Sequence, residues 1–209
     1  GDDSVTVDNA LTLPDGLTID TGTGTDSVTT NATITTNEGA VSITSGNVVI
    51  NSPLTTTKGS VNLTATGSFA NNSPITTDSG DITLTSKTIE LNATIAGHGQ
   101  LTLQPYGDST MGIGGTVNDG VFNLDQDELA LLQDGFSQIT IGSANGTKGL
   151  VIIGTARFLD DVTIYGGTIT FGKLGTIYDA NNTVHLAATV GRIYTDGAST
   201  QVIANKLAA

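Results

Sequence analysis

The sequence predicts an all-β fold, a parallel β-helix (β-solenoid) of about eight rungs with one short helix in an insertion. An aliphatic–polar–aliphatic triplet returns about every 20 residues between glycine-containing turns, which is typical of a β-solenoid. A column of Asn residues keeps step with the triplets, and the composition is rich in Gly, with 37% hydrophobic and only 4% aromatic residues. The triplets are Leu17-Thr18-Ile19, Val41-Ser42-Ile43, Val61-Asn62-Leu63, Ile82-Thr83-Leu84, Leu101-Thr102-Leu103, Ile139-Thr140-Ile141, Val162-Thr163-Ile164 and Val184-His185-Leu186.

The spacing of the triplets divides the chain into three parts. Their first residues are 24, 20, 21, 19, 38, 23 and 22 positions apart, so one step is almost twice the others. We therefore predict one β-helix fragment over residues 1–209, with regular coils in 1–105, an insertion in 106–135 and looser coils in 136–209. Because the pattern runs to both ends, we expect the fragment to belong to a longer array.

Each coil is expected to contain three short strands and three turns. Successive coils then pair in parallel about 4.8 Å apart, strand on identical strand, and the inward aliphatic side chains stack like on like. A right-handed coil is expected because parallel β-helices are commonly right-handed, and the residues themselves do not show the hand. Glycines close the coils, where we expect them to supply the φ > 0 conformation of sharp corners. These glycines are Gly16, Gly39, Gly59, Gly80 and Gly99.

A column of asparagines marks a second corner of each coil. Its members are Asn31, Asn51, Asn72 and Asn92, and Asp8-Asn9 is a weaker fifth member. Stacked Asn side chains can bond amide to amide along the axis, because each amide is both a donor and an acceptor. The alternative is that each Asn only tolerates a left-handed backbone at a turn. Either role is structural.

The insertion contains the one helix that the sequence predicts, at about residues 125–134. Asp125 is expected to be its N-cap, with Glu128 completing a capping box and Gly135 ending the helix at C′. The side chains of Leu129 and Leu132 then form an apolar face that docks on the flank of the solenoid.

The charge of the chain excludes some classes of partner. Its 20 acidic and 7 basic residues give a net charge of −13. Such a surface repels nucleic acid and anionic membranes, so neither is expected to bind, and no stretch is apolar enough for membrane insertion. The chain has no Cys, which excludes disulfides and thiol chemistry.

Several segments resemble a known group of bacterial proteins. The segments GSVNLTATGSF (59–69), GDITLTSKTIEL (80–91) and TVHLAATVGRIYTDGASTQVIANKL (183–207) are similar to the degenerate repeats of filamentous haemagglutinin-type exoproteins. The segment LDQDELALLQDGFSQITIGSANGTKGLVII (124–153) resembles a module of very large cyanobacterial and other bacterial surface proteins. The resemblance covers essentially the whole chain.

This resemblance implies a secreted or cell-surface passenger whose β-helix is a structural stalk or an adhesive fibre. Its expected location is extracellular, on the bacterial surface. Its expected partners are flanking repeats of the same polypeptide and a host-cell, matrix or glycan ligand. The resemblance supplies no catalytic residues and no cofactor.

A polysaccharide-binding or polysaccharide-degrading β-helix protein is the main alternative. Glycoside hydrolysis needs two carboxylates that face each other across a groove. The closest pairs, Asp78/Asp81, Asp125/Asp127 and Asp160/Asp161, lie in turns or in the helix cap. Arg157 could serve a lyase beside the last pair, but a surface ion pair is the simpler interpretation, so we predict no catalytic residue.

Calcium binding and ice binding are two further alternatives. Acidic turns offer hard oxygen ligands for structural calcium. The weak candidates are Asp78, Asp81, Asp160 and Asp161, with solvated acids as the default. Ice binding would use outward threonines, which the sequence places at Thr35, Thr55 and Thr76 before the column breaks at Ala96.

Overall fold

The structure, a computed structural model, describes residues 1–115, 121–196 and 199–208 and is a β-solenoid of about nine coils. Residues 1–105 form β1 (Ser4–Val7), β2 (Leu11–Leu13), β3 (Leu17–Asp20), β4 (Ser27–Thr30), β5 (Ile34–Thr36), β6 (Val41–Ser45), β7 (Asn47–Ile50), β8 (Leu54–Thr56), β9 (Val61–Asn71), β10 (Ile75–Thr77), β11 (Ile82–Leu91), β12 (Ile95–Ala96) and β13 (Gln100–Pro105). The later elements are β14 (Met111–Ile113), β15 (Phe122–Leu124), α1 (Gln126–Leu129), β16 (Gln138–Ile141), β17 (Leu150–Ile152), β18 (Thr155–Arg157), β19 (Val162–Gly166), β20 (Ile169–Phe171), β21 (Thr176–Ala188), β22 (Ile193–Thr195) and β23 (Gln201–Ala208).

The coils have three faces, which we name by their position relative to the Asn corner. The triplet face contains β3, β6, β13, β16, β19 and the matching parts of β9, β11, β21 and β23. The pre-corner face contains β1, β4, β7 and the later parts of β9 and β11, and then β15, β14, β17, β20 and β22. The post-corner face contains β2, β5, β8, β10 and β12, and then β18 and the first parts of β21 and β23. Every pair of neighbouring strands in these ladders is parallel.

The predicted register of the triplets is confirmed along the whole triplet face. All eight triplets pair residue on residue, in the order Leu17, Val41, Val61, Ile82, Leu101, Ile139, Val162 and Val184. Their inward side chains are almost fully buried from the second coil onward, and each contributes about 1.5–3 kcal/mol of hydrophobic stabilisation. The structure has about nine coils where the triplets predict about eight, because Leu207 pairs with Val184 and adds one more.

Most corner glycines are required for a different reason than predicted. Among the five predicted positions, only Gly16 has a positive φ, of 101°. At Gly59, a Cβ would overlap the carbonyl oxygen of Gly39, and one at Gly80 would overlap that of Gly59. The corners of successive coils therefore approach too closely for a side chain, and this close approach selects Gly.

Residues 106–135 contribute strands to the solenoid as well as the helix. β14 pairs with β17 on one side and with β15 on the other, so the pre-corner face gains two strands from this segment. Leu132 then forms an isolated parallel bridge with Ile95 on the post-corner face. The chain thus completes a coil before it enters β16.

The helix begins as predicted and ends earlier. Asp125 is the N-cap and forms the capping box with Glu128, and Leu129 and Leu132 are buried. The helix spans only Gln126–Leu129 with Ala130 as C-cap, so the predictions of residues 125–134 and of Gly135 at C′ are wrong. Leu131 N–H donates to the carbonyl of Glu128 in the helix, while Leu131 C=O accepts from the N–H of Ile95 in β12. The segment after Ala130 therefore already follows the path of the solenoid. Among the described residues, no helix is long and apolar enough to span a bilayer.

Candidate functional site

The Asn corner carries a ladder of side-chain hydrogen bonds. Asn51 Nδ2 donates to Asn31 Oδ1 at 3.0 Å, Asn72 to Asn51 at 2.8 Å, and Asn92 to Asn72 at 3.0 Å. Asn31 Nδ2 donates to Asp8 Oδ1 at 2.9 Å. None of these asparagines has a positive φ, so the left-handed interpretation is wrong and the amide ladder is present.

A second corner is closed by buried threonines that sequence reasoning missed. The hydroxyls of Thr36 and Thr77 each donate to the carbonyl of the Gly three residues later, at 2.7 Å. Thr56 donates in the same way to Gly59. All three side chains point inward and are almost fully buried. The repeated spacing Thr-x-x-Gly, visible at 36–39, 56–59 and 77–80, is the signal that could have found them.

Several aspartates serve as acceptors for backbone N–H groups of a neighbouring coil. Asp2 accepts from Thr25 at 3.0 Å, and Asp26 accepts from Asp3 at 2.8 Å. Asp108 accepts from the N–H groups of Thr147 and Lys148, and the hydrogen bonds from Thr147 lower the pKa of Asp108. Part of the negative charge of the chain is therefore used to bridge coils.

The four calcium candidates lie in two separate corners. Asp81 Oδ1 accepts from Gln100 N–H at 2.8 Å, and Asp78 Oδ1 lies 3.6 Å from His98 Nδ1. Three coils later, Asp161 Oδ1 accepts from Thr183 N–H at 2.7 Å. Within residues 1–115, 121–196 and 199–208, no group of three or more His, Asp or Glu is arranged to hold a metal ion.

Asp160 joins the segment after the helix to the next coil. Its carboxylate accepts from the N–H of Gly135 at 3.0 Å and of Phe136 at 3.1 Å. Burial raises the pKa of Asp160, these two hydrogen bonds lower it in part, and neighbouring Asp134 raises it again. The carboxylate thus anchors the returning chain to the solenoid.

Arg157 stacks on an aromatic ring instead of pairing with an acid. Its guanidinium carbon lies 4.1 Å from the centre of the Tyr178 ring in the next coil. The ion pairs of the described residues are Lys58–Glu38 and His98–Asp78, so the predicted surface ion pair of Arg157 with Asp160 or Asp161 is wrong. The guanidinium of Arg157, the candidate base of a lyase, therefore faces the Tyr178 ring instead of the Asp160/Asp161 pair.

Two buried carboxylates each keep one oxygen without a protein hydrogen bond. They are Asp26 Oδ2 and Asp179 Oδ2. Asp179 is only 1% exposed, and its Oδ1 accepts from Asn182 Nδ2 at 2.8 Å. Burial raises the pKa of Asp179, the bond from Asn182 opposes this, and the carboxylates of Asp161 and Asp160 raise it further. Sequence reasoning missed Asp179, although the alternation Ile177-Tyr178-Asp179 could have placed it on the inward side, because residues two apart in a strand share a face.

The helix is tied to the regular coils by Glu128. Its Oε1 accepts from Leu91 N–H at 2.9 Å, and its Oε2 accepts from Asp125 N–H at 2.8 Å. Burial raises the pKa of Glu128, and these two hydrogen bonds partly offset that effect. One carboxylate therefore completes the capping box and also accepts a hydrogen bond from the last N–H group of β11.

A cleft of about 700 Å³ lies where the regular coils meet residues 121–128. Ser68, Thr88 and Glu90 line its solenoid side, while Val121 and Asn123 line its other side. A smaller cleft of about 350 Å³ lies beside Asp108 and Lys148. The larger cleft is an open groove with mixed polar and apolar walls.

The outward threonines of the post-corner face form a longer column than predicted. Thr12, Thr35, Thr55 and Thr76 pair in register, and Ala96 ends the column. Only one threonine per coil faces outward here.

Comparison of the chain with protein-family models, with curated proteins and with solved structures found no match in any of the three.

Proposed function

We propose that this β-solenoid is a structural stalk or adhesive passenger segment of a large secreted or cell-surface bacterial protein, and that it performs no catalysis. The observation that carries the proposal is the continuous triplet face, in which aliphatic residues pair in register from Leu17 to Leu207 through about nine coils. At about 4.8 Å per coil this spine is about 40 Å long. The likeness of its repeats to filamentous haemagglutinin-type exoproteins supports the same role.

Side-chain hydrogen bonds at the corners support the role of a stalk that resists stretching along its axis. The Asn ladder connects five consecutive coils from Asp8 to Asn92, and the Thr corner closes three of these coils. Each bond of the Asn ladder joins two neighbouring coils, so separation of two coils along the axis would break backbone and side-chain bonds together. The Thr bonds lie within one coil and hold its corner.

The groove beside residues 121–128 is the surface that best suits an adhesive contact. Its walls combine hydroxyl and carboxylate groups, which can form hydrogen bonds with a polar ligand, with apolar side chains. Glu90 is exposed at its rim. We expect a host-cell, matrix or glycan ligand to bind there.

Adhesion can be tested with beads that carry the chain and a panel of matrix proteins, polysaccharides and cells. We expect binding to at least one surface, and Glu90→Lys is expected to reduce it. Asp15→Lys is the matched control, because Asp15 is also exposed, lies away from the groove and makes no described side-chain hydrogen bond or ion pair. Equal loss with both variants would place the contact elsewhere, and no binding to any surface would overturn the adhesive role.

The alternative of polysaccharide cleavage has its own test. We expect no release of reducing or unsaturated ends from a polysaccharide panel. A cleavage activity that Asp161→Asn abolishes without lowering the melting temperature would overturn the non-catalytic role. Arg157→Lys is a second variant for the same assay, because it changes the stack on Tyr178 without removing any described backbone hydrogen bond. A cleavage activity that this variant abolishes would likewise overturn the non-catalytic role.

A further inference from the structure

The loop between β16 and β17, residues 142–149, contains an exposed β-turn. The N–H of Gly146 donates to the carbonyl of Ser143 at 2.9 Å, and the N–H of Asn145 donates to Ser143 Oγ at 3.3 Å. The side chain of Asn145 is exposed and makes no hydrogen bond among the described residues. It is therefore free to rotate towards the backbone of the residue that follows it.

Asn145 differs from every other asparagine of the chain in its neighbour. Of the 15 asparagines, it alone is followed by Gly. The backbone nitrogen after an asparagine can attack the side-chain Cγ and close a succinimide ring, and a side chain on the attacking residue hinders this approach. Glycine has no Cβ and the widest range of backbone conformations, so it hinders the attack least. The ladder asparagines differ in both respects, since Asn51, for example, precedes Ser52 and its Nδ2 is bonded to Asn31.

We propose that Asn145 is a site of spontaneous deamidation in the folded protein. The backbone nitrogen of Gly146 loses its proton and attacks Cγ of Asn145, so a C–N bond forms and Nδ2 leaves as ammonia. Water then opens the succinimide at either carbonyl and yields aspartate or isoaspartate. Water is the one co-reactant, and no oxidation or reduction takes place. The hydrogen bond from Gly146 to Ser143 must open first, which costs little because an exposed hydrogen bond contributes little net stability.

The modified bond lies beside the anchors of the loop. Asp108 accepts from the N–H of Thr147 at 2.8 Å and from that of Lys148 at 3.1 Å. The carbonyl of Gly146 accepts from the hydroxyl of Thr189 in a later coil. Isoaspartate adds its Cβ atom to the main chain just before Gly146, so Gly146 and Thr147 are displaced from these partners.

Both products also change a cleft. Asn145 lines the cleft of about 350 Å³, whose charged lining residues among the described part of the chain are Asp108 and Lys148. A new carboxylate at position 145 gives this balanced lining an excess of negative charge. The cleft is then expected to repel anions and to attract cations.

Incubation of the folded chain at neutral and at mildly alkaline pH, followed by peptide mass spectrometry, tests the proposal. We expect the replacement of NH₂ by OH at Asn145, with separable aspartate and isoaspartate peptides, and a faster rate at the higher pH because the attacking nitrogen must lose a proton. Gly146→Ala should slow the conversion by roughly tenfold or more, which corresponds to about 1.4 kcal/mol in the barrier. Gly146 has no left-handed φ and a Cβ there would lie 3.2 Å from the Ser143 carbonyl oxygen, so the exposed turn can accept Ala after a small shift. Circular dichroism verifies that the variant folds.

Asn181 is the matched control within the same molecule, because it is also exposed but is followed by Asn182. Conversion of Asn145 no faster than that of Asn181, an unchanged rate in folded Gly146→Ala, or conversion only in a sample unfolded in urea would each overturn the proposal. Hydrogen exchange of the purified isoaspartate form should show lost protection of the Thr147 and Lys148 N–H groups, and retained protection would overturn the predicted release of the loop. The result is independent of the adhesive role, because the assay contains no ligand.

Discussion

The two halves of the solenoid keep the same core but build their corners differently. In residues 1–105 the Asn corner is held by side-chain amides, with Asn31 to Asn92 bonded in series. In the later coils the matching positions, which directly follow the pre-corner strands, are Gly114, Asp125, Ile153, Gly172 and Asp196, and no Asn is among them. Gly114 turns with a φ of 80° and has no side chain to bond. The coil path is therefore set by the stacked core, and more than one kind of corner can follow it.

The corner after the post-corner face shows a second contrast. Thr77 follows Ile75 by two positions on the inward side, and its hydroxyl is bonded to Gly80. Asp179 follows Ile177 in the same way, but one of its buried oxygens has no protein partner. One inward polar position is therefore satisfied in the first half and only partly satisfied in the second. The contrast holds for this corner only, because the first half has buried side-chain oxygens without a protein partner elsewhere, at Asp26, Thr30 and Ser86.

The largest expected effect comes from removing core volume in each half. Leu84→Ala and Ile164→Ala each empty a position that is 0% exposed, so each should lower the free energy of unfolding by about 2–5 kcal/mol. Leu207→Ala is the control at a 54% exposed position and should cost less than about 1 kcal/mol. Chemical denaturation measures all three. Two separate transitions, each shifted by only one core variant, would show that the halves unfold independently.

The Thr corner provides the next largest effect. Thr77→Val keeps the shape but leaves the buried Gly80 carbonyl without its donor, which should cost about 1–3 kcal/mol. Thr76→Val is the matched control, because Thr76 faces outward and its hydroxyl makes no described hydrogen bond. Thermal denaturation of both variants measures the difference. Equal melting temperatures would mean that the hydroxyl of Thr77 contributes nothing.

Asp179 should make stability depend on pH in the second half. Because its folded pKa is raised above the ordinary 3.8, its contribution to stability is fully present below about 3.8 and is lost as pH rises through the folded value. Asp179→Asn should therefore stabilise the protein at neutral pH by on the order of 1 kcal/mol. The gain should vanish in acid.

Denaturation of Asp179→Asn across pH measures this difference. Asp15→Asn, at an exposed position, is the control and should give a nearly constant difference from the parent. A gain for Asp179→Asn that is the same at every pH would contradict the electrostatic explanation.

The smallest effect is expected at the exposed Asn ladder. Asn51→Ala removes one hydrogen bond to Asn31 and one from Asn72, which should cost about 0.5–1.5 kcal/mol in total because the groups are exposed to water. Asn181→Ala changes the same side chain in the second half, where no such ladder exists among the described bonds, and should cost almost nothing. Hydrogen exchange of the corner amides resolves such small differences. Equal protection in both variants would mean that the ladder does not stabilise its corner.

The sequence predicts the parts of this fold that repeat. The period-two alternation places Ile19, Ile43 and Leu63 on one side of their strands, so the register follows once the 20-residue repeat is found. The sequence analysis did not count the ninth coil, because Lys206-Leu207-Ala208 has only one large aliphatic residue. The strands β14 and β15 were not predicted, because their short apolar runs lie outside the regular spacing of the triplets. Repetition thus predicts register but not departures from it.

The sequence predicts the acceptor roles of the acids less well. Asp160 and Asp161 attract attention as a carboxylate pair, yet each caps backbone N–H groups of a different neighbouring segment. Which N–H groups need an acceptor depends on how the chain travels between coils, and this path is not encoded in any local pattern. The same reason explains why Glu128 was recognised as a capping residue but not as the partner of Leu91.

The hydrogen bonds of the Asn ladder all run in one direction, from each amide to the preceding coil, and Asp8 at the start of the ladder sets that direction. Asp8, when ionised, can only accept, so Asn31 must turn its NH₂ group towards it and offer its oxygen to Asn51. Each later amide inherits the choice, over about 19 Å of the rod. With an amide in place of this one carboxylate, the row could run either way, and its two orientations would be nearly equal in energy.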